Sequence, residues 1–229
     1  MIVFPAAALL ACGGDLGLPS PSGEGVAFTI VDGNGQRGTV GEELPRQLVV
    51  SVETGGAPAP DHVVAFAVVS GPSGMRLDPD TAFTGEDGHA ATQVVLGTAT
   101  GSYEVEAKLV VSEPEPPPTA VFEGVAVAAE PDTLRAASPT TQPGQRLEPV
   151  AEPPTVVVLD RFGNPVPGAP VHWQVTAGGG DVIGQLTADA EGKASAEWTL
   201  GNGAGVQKLT ARVEGAQGSP VGFTAAILF

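Results

Sequence analysis

The sequence has 229 residues, with 26 acidic side chains against 10 basic ones and a net charge of −16. A chain this acidic repels phosphate backbones, which sets nucleic-acid binding aside, and it stays off anionic lipid head groups unless something covalent holds it there. Gly and Pro contribute 32 and 22 residues, yet 42% of the chain is apolar and its Val and Leu residues alternate with polar ones. Glycine and proline therefore read as turns between many short strands, not as a low-complexity chain.

The chain opens MIVFPAAALLAC. Residues 2–11 are apolar throughout, too short to span a bilayer but the length of a signal-peptide apolar region. No Lys or Arg precedes the run, unlike the basic start of most signal peptides. Cys12, the only cysteine, ends the run, so disulfides and Cys-based zinc sites are both excluded. LLAC resembles the lipobox of bacterial lipoproteins, in which the cysteine becomes the lipidated first residue of the mature protein. The resemblance implies lipidation at Cys12 and a membrane partner reached through that anchor. The alternative is a small buried apolar residue on a first strand. Residues 1–12 are thus expected to be a signal peptide with a lipobox cysteine, and 13–24 a flexible tether.

Residues 32–38, DGNGQRG, follow the alternating run GVAFTIV and carry two overlapping motifs. Gly33, Gly35 and Gly38 have the spacing of a dinucleotide-binding turn, while Asp32, Asn34 and Glu43 fit part of a calcium loop. A dinucleotide turn must open a helix, whose N-terminus takes the pyrophosphate. Here Gly41 and Pro45 interrupt and a strand follows. A calcium loop needs glycine at its sixth place and an oxygen ligand at its fifth, which are Arg37 and Gln36. The segment is expected to be an Asp-Gly turn joining two edge strands.

A long internal repeat organises the rest. Residues 50–71 shifted by 107 fall on 157–178, with Val50, Gly56, Pro58, Pro60, Val64, Val68 and Gly71 meeting identical residues. Further on the shift is 104, and Gly88, Ala90, Leu96, Gly97, Gly101 and Ala107 find their matches. A repeat this long means two copies of a whole domain, expected at 25–129 and 130–229. The proline-rich EPEPPP at 113–118 is placed in a late hairpin loop of the first copy.

In the second copy TVVVLD (155–160) reads as a strand that ends at RFGNPVPG, where Asn164-Pro165 and Gly168 set a structural turn. Gly163 is expected at positive φ, where a side chain would be strained. Asp160, alternating out of phase with Val158, is the one residue that could instead bind calcium at a domain junction. APVHWQVTA (169–177) alternates, with Val171, Trp173 and Val175 facing inward and His172, Gln174 and Thr176 outward. KASAEWTL (193–200), VQKLTARV (206–213) and PVGFTAAI (220–227) alternate likewise. The pattern predicts an all-β chain of two tandem antiparallel sandwiches of immunoglobulin type.

The residues VVVLDRFGNPVPGAPVHWQV, Thr187 to Ala194 and LTARV resemble the bacterial immunoglobulin-like domain of invasin and intimin, the Big-1 type. The first copy opens GQRGTVGEELPRQLVVSV, which is similar to the start of such domains in secreted bacterial lipoproteins. In its turn Gly55 and Ala57 replace Phe162 and Asn164, so the loop shape there is open. The resemblance implies a cell-envelope lipoprotein, outer-membrane-anchored and facing periplasm or surface, serving as a spacer or adhesion module.

No chemistry-bearing constellation emerges. His62, His89 and His172 lack partners at metal-ligand spacing, and Ser73 lacks the second flank of a nucleophile elbow. Glu86-Asp87 and Glu104/Glu106 read as solvated pairs. No cofactor, metal site or catalytic residue is expected, and the ligand, protein or glycan, is left open. Trp173 and Trp198 read as core, each in phase with apolar neighbours. A carbohydrate- or polymer-binding accessory protein is the rival reading; its exposed aromatics would be Tyr103 and a few Phe residues.

Overall fold

The computed structural model describes residues 25–112 and 116–227, and every regular element among them is a β-strand. Cys12 and the tether lie outside the described residues, as does part of EPEPPP. Alternation explains the strands. Where a sequence alternates apolar and polar side chains, an extended chain buries one set and solvates the other.

The first half contains β1 (Val26–Asp32), β2 (Gln36–Thr39), β3 (Leu48–Thr54), β4 (Ala57–Pro58), β5 (Val63–Ser70), β6 (Arg76–Asp78), β7 (Thr81–Phe83), β8 (His89–Val95), β9 (Gly101–Leu109) and β10 (Thr119–Val127). They form two sheets, β1-β3-β8-β6 with β4 added to β3, and β2-β10-β9-β5-β7. Between the sheets lies a core that includes Leu48, Val50, Val64, Phe66, Leu96, Tyr103 and Phe122. The strands flanking EPEPPP, β9 and β10, pair antiparallel.

The second half repeats the plan with β11 (Pro131–Ala136), β12 (Thr141–Gly144), β13 (Thr155–Asp160), β14 (His172–Ala177), β15 (Gly180–Gly184), β16 (Lys193–Leu200), β17 (Val206–Arg212) and β18 (Val221–Ile227). Its sheets are β11-β13-β16-β15 and β12-β18-β17-β14. They enclose Leu134, Val156, Val158, Val171, Trp198, Leu209 and Phe223. The fold is all-β, two sandwiches in tandem. Sequence alternation missed β11, β12 and β15: β15 starts in a glycine run, and β12 carries Pro143 and Gly144, residues that ordinarily end strands.

Not every pairing is antiparallel. β2 runs parallel to β10, and β12 parallel to β18. DGNGQRG is consequently no hairpin. β1 and β2 are edge strands of opposite sheets, and the turn carries the chain across the sandwich. Asn34 holds the crossing in place, its Oδ1 accepting the N–H groups of Gly35 (3.0 Å) and Glu123 (2.9 Å).

The register of the repeat departs from the sequence reading in one place. Val50 pairs with Ala90 as Val156 pairs with Ala194, so Val50 corresponds to Val156 and not to Val157. Val50 and Val156 are fully buried, whereas Val157 sits on the other face. The shift is 106 through this strand and 107 after it, because the second copy has one residue more in the turn between. A one-residue slip exchanges the faces of a strand, which is why the Val50–Val157 identity misleads.

Candidate functional site

The extra residue shapes the turn that follows β13. In the first copy Gly55 and Gly56, both at positive φ, form a two-residue loop between Thr54 and Ala57. In the second, Asp160 N–H donates to the Asn164 carbonyl (2.9 Å) and Gly163 N–H to the Asp160 carbonyl (3.0 Å), leaving Arg161, Phe162 and Gly163 as a three-residue loop. Gly163 takes φ +88°, the left-handed residue this loop type requires, and no atom lies within 4 Å of where its Cβ would stand. Pro165 bridges back to Leu159, and Gly168 N–H bonds the Ala188 carbonyl at 2.9 Å, seating the chain for the next strand.

Asp160 is not out of phase with Val158. Residues two apart in a strand share a face, and Val156, Val158 and Asp160 all point inward. A buried carboxylate must be compensated, and this one is, by hydrogen bonds. Its Oδ1 accepts the N–H groups of Phe162 (2.9 Å) and Asn164 (2.8 Å). Its Oδ2 accepts the Asn164 side-chain amide (2.9 Å) and the N–H of Ala129 (3.0 Å). Burial on its own would raise the pKa of this group, but the bonds from Asn164, Ala129 and Phe162 outweigh it and leave the pKa lowered. Four N–H donors thus take up both oxygens of this carboxylate. Among the described residues, no cluster of three or more His, Cys, Asp or Glu side chains is placed to hold a metal ion.

The loop also reaches the first sandwich. Asn164 Nδ2 donates to the carbonyl of Thr98 (2.8 Å), and Thr100 N–H donates to Asn164 Oδ1 (3.3 Å). The Phe162 ring lies over Gly41, where a Cβ would stand 2.7 Å from its Cζ. The Arg161 guanidinium also lies against that ring, 4.7 Å from the ring centre. Around this contact run two open clefts. One, about 470 Å³, is lined by Arg37, Gly101, Val127, Pro165 and Pro167; the other, about 350 Å³, by Thr39, Glu42, Glu130 and Arg161. Sequence reading named Asn164 as a turn residue but missed Phe162, Gly41, Thr98 and Thr100 as its surroundings. The available signal was the difference between the two copies at Gly55/Phe162 and Ala57/Asn164.

A second repeated device went unread. Gln36 binds Arg46 through both main-chain groups, Nε2 to the carbonyl (2.8 Å) and N–H to Oε1 (2.9 Å). Gln142 binds Glu152 in the same way, at 2.8 and 3.1 Å. The Gln-x-Gly pattern at 36–38 and 142–144 was its signature.

The two tryptophans are placed differently from each other. Trp198 is fully buried, and among the described residues its Nε1 has no hydrogen-bond partner. Trp173 is half-buried against the core, tilted on Phe223 at 6.1 Å, with Nε1 donating to the Gln185 carbonyl (3.1 Å). Tyr103, the expected exposed aromatic, is 1% exposed; its ring lies in the first core. His172 lies on the solvent face of β14, in an open cleft of about 770 Å³ shared with Gln174, Thr210 and Arg212. His89 meets Asp87 at 3.2 Å, and His62 Nδ1 lies 2.9 Å from the Pro60 carbonyl. The structure brings no nucleophile and base together at any of these positions.

Residues 152–225 match the family model of the bacterial Ig-like domain (group 1). Among solved structures, the chain resembles FdeC, described as an Escherichia coli adhesin, with a TM-score of 0.60 and 16% identity. That match covers 89% of this chain and 63% of FdeC, so the chain spans less than two thirds of that structure. The D0-D1 domain of intimin aligns at 20% identity over 87% of this chain and 94% of its own, with a TM-score of 0.34. Invasin, described as a bacterial integrin-binding protein, aligns at 21% identity over 89% of this chain and 39% of its own, with a TM-score of 0.35. No curated protein matches the sequence.

Proposed function

We propose that this chain, whose residues 152–225 belong to the bacterial Ig-like domain (group 1) family, is a non-catalytic cell-envelope protein in which two sandwiches serve as a spacer or adhesion module. The observation that carries this reading is the end-to-end joint at Asn164. A side chain whose amide is engaged by the neighbouring sandwich holds one domain on the next, as a spacer requires. The adhesin description of FdeC, whose fold the chain shares, supports the same reading. A lipid at Cys12 would tether the module to the membrane through residues 13–24, and a protein ligand would be met by loops and sheet edges.

The rival reading, binding of a carbohydrate or polymer, needs exposed aromatic platforms. Among the described residues these reduce to Phe83, 69% exposed on β7, and Phe162, which the joint engages. The test is binding of the purified chain to arrays of cell-surface proteins and of glycans. Saturable binding to a protein that survives deglycosylation is expected. Binding confined to glycans and lost in Phe83→Ala would establish the rival instead.

A further inference from the structure

We infer that the Asp160–Asn164 turn is a key fitted to one lock on the first sandwich, formed by Gly41, Thr98 and Thr100, and that the fit fixes the two sandwiches at a single relative orientation. Both sides of the contact are chemically selective. Asn164 gives an N–H to the Thr98 carbonyl and takes one from Thr100, which requires an amide carrying donor and acceptor together. A carboxylate at this position would lose the first bond, and an alkyl group both. The amide is itself held by Asp160, so it is oriented before it docks. On the lock, a Cβ on Gly41 would meet the Phe162 ring at 2.7 Å, and Gly41 has φ +76°. Only glycine accommodates the backbone conformation and the ring at once.

The connection leaves little slack. Only Ala128, Ala129 and Glu130 separate β10 from β11, and Ala129 N–H is already bound to Asp160. Contacts thus bracket the joint on two sides, at the linker and at the turn.

Among the described residues this key and lock occur once. The first copy's turn has Gly55 and Ala57 in place of Phe162 and Asn164, so it presents neither ring nor amide. At the far end of the second sandwich the counterpart of Gly41 is Leu147. The Glu42 carbonyl accepts Leu96 N–H as the Glu148 carbonyl accepts Leu200 N–H, which fixes the correspondence. Leu147 keeps the left-handed backbone at φ +61° and is 66% exposed. Its side chain stands where the Phe162 ring enters in the first sandwich. The lock therefore fits an Ig-like sandwich bearing a Phe-Gly-Asn turn, and the far end of the second sandwich does not offer it.

This inference holds whether or not the chain is an adhesion module. It is tested on the full chain with Cys12→Ser and spin labels at two exposed positions, Glu86→Cys and Glu214→Cys. A narrow inter-label distance distribution is expected, and Asn164→Ala and Gly41→Ala should each broaden it at least twofold while the strand signal in circular dichroism is kept. Should Gly41→Ala lose that signal, Phe162→Ala replaces it, because it empties the same contact from the other side. Equal widths in parent and variants would overturn the key and lock. Broadening by Asn164→Ala alone would overturn the role of Gly41.

Discussion

The carboxylate of Asp160 accepts the backbone N–H of Ala129 at 3.0 Å, so a side chain at the end of a core strand holds the connection between the two sandwiches. The same group also closes its own turn, through Phe162 and both N–H groups of Asn164. One buried charge thus organises a hairpin and a linker together.

Acid should weaken this arrangement. The folded pKa of Asp160 lies below its ordinary value of 3.8. Its contribution to stability is therefore complete above that value and is lost as pH falls through the lower folded pKa. Asp160→Asn places an amide where four N–H donors converge and should cost about 1–3 kcal/mol near neutrality. Urea unfolding followed from pH 7 down to pH 2 checks both points, since the variant should lack the part of the acid limb that Asp160 supplies. A variant as stable as the parent at neutral pH would remove Asp160 from this role.

Trp198 brings a penalty into the core along with its bulk, because its Nε1–H is buried without a partner among the described residues. Trp198→Ala should destabilise the second sandwich by about 3–5 kcal/mol through the cavity left behind. Trp198→Phe should cost about 1–2 kcal/mol, the lost ring area being partly offset by removal of the unpaired donor. Chemical denaturation monitored by circular dichroism measures the two differences. A Trp198→Phe loss as large as the removed ring area alone predicts would mean that the unpaired N–H has no energetic weight.

The second sandwich is expected to fold by itself. Its core, from Leu134 to Ile227, is a cluster of its own. A fragment of residues 130–229 should show β-rich circular dichroism and one cooperative melting transition. A gradual melt would show that the first sandwich is needed to complete it.

Lipidation is expected at Cys12. The motive is the apolar run ending in LLAC ahead of a glycine-rich tether. In a bacterial host the full chain should fractionate with membranes, and Cys12→Ser should be released or remain unprocessed. Equal membrane retention of the variant would refute the anchor.

The sequence by itself determined the all-β class, the tandem repeat and the strands Thr155–Asp160 and Lys193–Leu200 at their observed ends. It could do so because alternation is local: burial of every second side chain is written along the strand itself. Only the tertiary structure decided that Val50 answers Val156, that β1 and β2 lie in opposite sheets, and that Tyr103 is core while Asn164 is a joint. Asn164, at the end of the three-residue loop, meets the Thr98 carbonyl, which lies 66 positions away in the chain. Neither residue carries a pattern that names the other, because a contact between domains depends on the packing of both sandwiches and not on the periodicity of either strand.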